Sequence, residues 1–316
     1  MRPPNFRFPS FASAAPASSH DKTSPTLPML SLPPTARNNI VAALGEFVGT
    51  FLFLFFAFAG TQVANTPPPS PPPAGVVAPS NPASLIFISL AFGTSLTANV
   101  WAFYRVTGGL FNPAVSLVTL SLVLVGGLPA VRALLVVPAQ LLGGIAAAGV
   151  VSALLPGPMA VETTLGGGAS VVQGLFIEMF LTAELVFVII MLAAEKHKST
   201  YLAPVAIGIS FFLAELVGVY YTGGSLNPAR SLGPATVNRN FPGYFWIYWV
   251  GPLLGSLLAS AFYTLLKFLR WKEVNPGQDW NDLEKLESER RLTEGRDVVE
   301  ASADKRSGSS GGADPH

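Results

Sequence analysis

Uncharged apolar runs fill the middle of the chain: from Phe47 to Tyr104 there is no Asp, Glu, Lys, Arg or His. A bilayer core takes about 20 apolar residues for each helical crossing. On that measure six crossings can be drawn, near 39–60, 83–105, 129–154, 171–193, 201–219 and 244–269, with Pro-rich or Gly-rich joints between most of them. The joint Thr66–Ala74 is proline-rich and predicts a stiff, extended spacer outside the membrane. Beyond Trp271 the pattern turns polar; Asp279–Arg296 predicts a short helix, and the Ser/Gly-rich end from Ser307 predicts disorder. The expected fold class is therefore an all-α membrane protein with a cytoplasmic tail at 1–38, a membrane domain at 39–270 and a polar cytoplasmic tail at 271–316.

Composition agrees with this pattern, since 50% of residues are hydrophobic and 12% charged, against about 25% charged in soluble domains. No nucleic-acid partner is expected; the net charge of +1 says little about partners, but the positions of the charges predict topology. Arg2, Arg7, Lys22 and Arg37 precede the first crossing, Arg105 and Arg132 flank the second connection, and Lys196 and Lys198 lie in the fourth. Lys267, Arg270 and Lys272 follow the last, while the joints 61–82 and 155–170 hold no Lys or Arg. The positive-inside rule then puts both termini in the cytoplasm, which requires an even number of crossings. The stretch to Arg37 has no unbroken apolar core and does not read as a cleaved signal; a transit peptide is the weaker alternative, since the segment is Ser- and Arg-containing and poor in acids but its many prolines argue against an amphipathic helix. There is no cysteine, and His20, His197 and His316 all lie outside the expected helices, so a His/Cys metal site inside the membrane cannot be assembled. No metal, cofactor or enzymatic activity is expected; a carboxylate-based membrane enzyme is the rival reading on this point.

One string occurs twice, as Thr107-Gly108-Gly109-Leu110-Phe111-Asn112-Pro113-Ala114 and Thr222-Gly223-Gly224-Ser225-Leu226-Asn227-Pro228-Ala229. The offset of 115 residues also maps Ala91, Gly93 and Ser95 onto Ala206, Gly208 and Ser210, and Ser116 onto Ser231. Glu46 with Thr50 likewise matches Glu178 with Thr182. Such self-similarity marks an internal duplication, with repeats at about 39–154 and 171–269. Each repeat holds three crossings, an odd number, so the second inserts upside down and the interface between repeats falls near the bilayer midplane. A third copy, Asn81-Pro82-Ala83, lacks the Thr-Gly-Gly and reads as an ordinary helix start.

Asn-Pro-Ala has a direct physical reading, with Asn as a helix cap and Pro at the first helical position, where no hydrogen bond is lost. From Asn112 the helix has room to about Leu120, roughly 12 Å at about 1.5 Å per residue, and so only half-crosses a ~30 Å core. The Asn oxygen turns to the backbone, which leaves the amide hydrogens free to point into a cavity. Irregular backbone at membrane depth survives only inside protein or along such a cavity, which accounts for the Thr-Gly-Gly stretches.

The doubled Asn-Pro-Ala in two hydrophobic halves resembles the aquaporin family, channels for water and small neutral solutes. The resemblance implies six transmembrane helices plus two half-helices in two inverted repeats. The half-helices enter from opposite sides, and their positive ends, with Asn112 and Asn227, meet at the midplane. There they hold water by two donors and disfavour cations and protons. The pore motifs are Asn112, Pro113, Ala114, Asn227, Pro228 and Ala229. By the same resemblance Phe92, Glu215, Gly224 and Arg230 form the selectivity filter, and Glu46, Glu178 and Gln140 brace the motif loops. Glu215 departs from the family pattern, since water-selective members often carry His there; the filter is expected to be more polar and less cation-repelling. Ser231, Ala235 and Tyr248-Trp249 resemble the water-channel pattern, and Ser231 stands where glycerol channels usually have Asp.

The resemblance implies a passive water channel in the plasma membrane, a homotetramer with one pore per subunit, and no cofactor. The alternatives are a channel for hydrogen peroxide or glycerol, and a poorly conducting structural protein of the same fold. Two further expectations concern packing. Gly45/Gly49 and Gly251/Gly255 are read as close helix contacts, and Glu184 as a partnered core residue.

Overall fold

A computed structural model describes residues 32–66, 76–77, 79–116, 130–275, 286–287 and 289–296. The expected disorder from Ser307, most of the proline-rich joint and the later part of the first half-helix fall outside these residues. The chain divides into Met1–Asn38, whose described residues open the first helix, and Asn39–His316.

Six described helices are long and apolar enough to cross a membrane. They are α1 (Pro34–Ala64), α2 (Pro82–Phe103), α3 (Ala130–Leu154), α4 (Val171–Ile189, continued by a π turn Ile190–Ala194), α5 (Ala203–Thr222) and α7 (Ile247–Phe268). Between the last two lies a short helix, α6 (Pro228–Asn238). These match the six expected crossings, except that α1 starts earlier and runs further. Pro34 is tolerated in a first turn, and no Gly or Pro interrupts the helix before Ala64 except the small glycines used for packing. Local signals set the other boundaries. Asn81 caps α2 by accepting from the Ser84 N–H, so the third Asn-Pro-Ala is a helix start. Ser170 and Gln173 form a reciprocal capping box on α4. Gly223, at φ 81°, ends α5 in the left-handed conformation.

The duplication reappears in packing. α2 crosses α5 at Gly93 and Gly208, residues related by the 115 offset. A Cβ on Gly93 would lie 2.8 Å from the Gly208 carbonyl oxygen, and one on Gly208 would lie 2.5 Å from that of Gly93. A reciprocal contact of equivalent residues is what a two-fold relation between the repeats requires. The glycine pairs divide in use. Gly251 and Gly255 let α7 approach α4, at Glu178, Met179 and Thr182. Gly45 and Gly49 instead seat Thr107 and Phe111 of the first motif loop against α1, with Phe103, the last residue of α2, also near Gly45, so that pair serves mainly a loop. Glu184 also differs from its reading as a core residue: it lies on the exposed face of α4 in line with Phe176 and Phe180.

Candidate functional site

The two motif loops have the same backbone. Gly108, Gly109 and Phe111 take φ 96°, 66° and 50°; Gly223, Gly224 and Leu226 take 81°, 63° and 52°. Glycine adopts this left-handed region freely, whereas Phe111 and Leu226 each give up about 1–2 kcal/mol to do so. Buried carboxylates hold them there. Glu46 accepts from the N–H groups of Leu110 (3.2 Å) and Phe111 (2.8 Å), and Glu178 from those of Ser225 (3.0 Å) and Leu226 (2.8 Å). Thr222 Oγ1 adds a third donor to Glu178 at 2.6 Å, and Gln140 Nε2 adds one to Glu46 at 2.7 Å. Charge-assisted bonds of this kind are the strong class, and they keep each carboxylate from being stranded in an apolar interior.

Past these loops the two asparagines meet. Each caps the helix it opens, Asn112 Oδ1 accepting from the Ala114 N–H and Asn227 Oδ1 from the Ala229 N–H, both at 2.9 Å. Each amide also reaches across the repeat boundary: Asn112 Nδ2 donates to the Leu226 carbonyl and Asn227 Nδ2 to the Phe111 carbonyl, both at 2.8 Å. The sequence reading left both hydrogens of each amide free. One of the two is in fact used to tie the loops together, because the αL turn at Phe111 and Leu226 aims their carbonyls at the opposite cap. One N–H per asparagine remains for a cavity molecule. That cavity, about 30 Å³, is lined by both asparagines with Phe53, Phe211, Leu185 and Ile189, and has room for roughly one or two waters.

Arg230 lies beyond the asparagines and is 1% exposed. Its Nε donates to the Gly224 carbonyl (2.8 Å), Nη1 to the Val161 carbonyl (2.7 Å) and Nη2 to the Gly223 carbonyl (3.1 Å). Three of its five N–H groups are thus fixed, and its plane sits 5.1 Å from the ring centre of Phe92 and 5.6 Å from that of Phe58. Glu215 is fully buried and touches Gly224, whose missing side chain makes room for the carboxylate. Neither Glu215 oxygen has a hydrogen-bond partner, and no ion pair joins it to Arg230. Phe92, Glu215, Gly224 and Arg230 are therefore brought together, with no ion pair between Glu215 and Arg230. Ser231 bonds to Thr163 and Ser225, and the Tyr248 hydroxyl donates to the Thr222 carbonyl, so both steady the second loop.

The sequence reading missed Phe53, Phe58, Phe211 and the Val161 carbonyl. The helical spacing of Phe211 and Glu215, four apart on α5, was the available signal for Phe211. Val161, in a joint far from Arg230 along the chain, offered none.

The Major intrinsic protein family matches residues 35–263. Aquaporin-7 of Botryotinia fuckeliana (strain B05.10) is 62% identical over 243 residues, 77% of this chain and 53% of that one. Probable aquaporin-3 of Gibberella zeae is 52% identical over 242 residues, 76% of this chain and 82% of that one. The chain spans about half the length of some of its relatives, 53% of aquaporin-7 and 45% of aquaporin-5 from Botryotinia fuckeliana. The X-ray structure of the aquaglyceroporin from Plasmodium falciparum has the same fold, with a TM-score of 0.58 at 22% identity, covering 73% of this chain and 99% of that one.

Proposed function

The chain belongs to the Major intrinsic protein family, and from that premise we propose that it is a passive water channel, not an enzyme, that excludes protons and ions. The observation that carries the reading is the pair of cross-tied asparagines. Two helix N-termini converge where Asn112 and Asn227 each keep one N–H for a cavity molecule. A water held by two donors presents its lone pairs to the protein and cannot relay a proton, and the convergent positive helix ends oppose cations. On this reading Phe92, Glu215, Gly224 and Arg230 form the filter, and Glu46, Glu178 and Gln140 brace the loops. The channel domain is 39–270 with cytoplasmic tails at 1–38 and 271–316, in a plasma-membrane homotetramer.

The test is stopped-flow light scattering on proteoliposomes beside a pH-dye assay. Water permeability should rise above that of empty vesicles while proton leak does not. Swelling no faster than empty vesicles, with folded protein, would refute the reading. Glu215 favours a second, compatible reading. An unpartnered carboxylate beside Arg230 offers acceptors to a donor-bearing solute, so hydrogen peroxide passes with water, and peroxide uptake by the same vesicles checks it.

A further inference from the structure

We propose that the narrowest point of the path is a cluster of three rings, Phe53, Phe92 and Phe211, and that Phe211 sets the size limit for solutes there. The proposal rests on the channel reading above. The rings touch pairwise: Phe53 and Phe211 are 5.8 Å apart at 90°, Phe92 and Phe211 5.8 Å at 22°, and Phe53 and Phe92 6.3 Å at 77°. Centroid separations of about 4.5–7 Å are direct ring contacts, with no space for water between the faces. None of the three is more than 1% exposed.

Their position follows from their neighbours. Phe53 and Phe211 line the cavity that holds Asn112 and Asn227, whereas Phe92, Glu215, Gly224 and Arg230 are absent from its lining. Phe92 lies against the Arg230 guanidinium. On α5, Phe211 and Glu215 are one turn apart on the same face, and Glu215 touches Gly224. Phe53 and Phe211 therefore stand between the filter level, to which Phe92 also belongs, and the asparagine level.

Chemistry makes this level the barrier. At the filter a passing molecule meets two uncommitted Arg230 N–H groups, two unpartnered Glu215 oxygens and a side-chain-free Gly224. At the rings it meets no donor or acceptor and must shed hydrogen bonds to pass, which is how apolar constrictions gate by dewetting. Repeat symmetry does not call for an aromatic at this place, because the 115 offset maps Phe211 onto Leu96, which is aliphatic.

The experiment uses the full chain in liposomes, with wild type, Phe211→Leu and Phe211→Ala compared for osmotic water permeability and glycerol uptake per folded protein. Phe211→Leu and Phe211→Ala should raise water permeability by roughly threefold or more as the dewetted level widens and should admit glycerol, which wild type excludes. If Phe211→Ala fails to fold, Phe211→Leu, which restores the equivalent residue of the other repeat, decides alone. A wild type that passes water but not glycerol, beside a Phe211→Leu that passes both, supports the ring barrier. A conducting wild type with Phe211→Leu identical in water and glycerol flux overturns this proposal and leaves the channel reading standing; glycerol uptake by wild type equal to that of the variants overturns it too. No flux in any variant overturns both.

Discussion

Two buried glutamates near the second motif loop should respond in opposite ways to the same substitution. Glu178 is fully buried and accepts from Thr222 Oγ1, the Ser225 N–H and the Leu226 N–H. In Glu178→Gln one oxygen becomes an NH2 group. Whichever way the amide turns, one backbone N–H is left facing a donor: that of Leu226 if the NH2 takes the Oε2 position, or that of Ser225 if it takes the Oε1 position. Losing a bond to a charged acceptor costs about 1.5–3 kcal/mol, and stranding the buried N–H costs about 1–3 more. A net loss of about 3–5 kcal/mol is expected, with the loop no longer held at both N–H groups. For a protein of this size, 3 kcal/mol lowers Tm by roughly 6–12 °C. Glu215 has no partner on either oxygen, so Glu215→Gln breaks no bond and removes a buried charge or acid. Its Tm should stay within about 3 °C of wild type or rise, since substitutions without such a mechanism are small. The assay is thermal unfolding of both variants in one detergent, followed by intrinsic fluorescence. Equal shifts, or a larger loss for Glu215→Gln, would show that the Glu178 bonds do not hold the loop as described.

Gly224→Ala should be poorly tolerated, because its Cβ meets the Glu215 carboxylate and φ is 63°. Combining it with Glu215→Ala should recover the steric part of the loss but not the backbone part, measurable as a double-mutant coupling in Tm. Outside the membrane spans, burial pushes the Glu195 carboxyl up, but bonds from the Tyr263 hydroxyl and Lys272 outweigh this and hold it below the usual carboxylate range. A depressed folded pKa means that the stabilisation is present above the unfolded value and is lost as pH falls through the folded one. The link from Glu195 to the Trp271–Glu273 turn should therefore persist near neutral pH and loosen only as pH falls below the usual carboxylate range, seen as faster proteolysis near Lys272 with an acid-active protease. With no cysteine anywhere in the chain, mercuric chloride at micromolar concentration should leave water flux unchanged; inhibition reversed by thiol would contradict this.

What the sequence determined by itself was everything carried by local or repeated signals. Caps such as Asn81, Asn112 and Asn227 work through the next two or three residues, long uncharged runs mark crossings wherever they occur, and the 115-residue offset relates the halves without any coordinates. Only the tertiary structure decided what faces what. The α5 sequence is apolar nearly all round apart from Glu215, so no polar stripe discloses its rotation, and Phe211 could not be told from Phe212 by pattern alone. The free oxygens of Glu215, the outward Glu184, the spent hydrogen on each asparagine and the seat of Gly45 and Gly49 beneath a loop all depend on helix rotation and on partners distant in sequence. In a membrane helix burial does not require an amphipathic pattern, because lipid and protein core are equally apolar. Which apolar residue lines the cavity is therefore fixed by packing, and the packing is fixed by glycines, rings and buried carboxylates meeting across the repeat boundary.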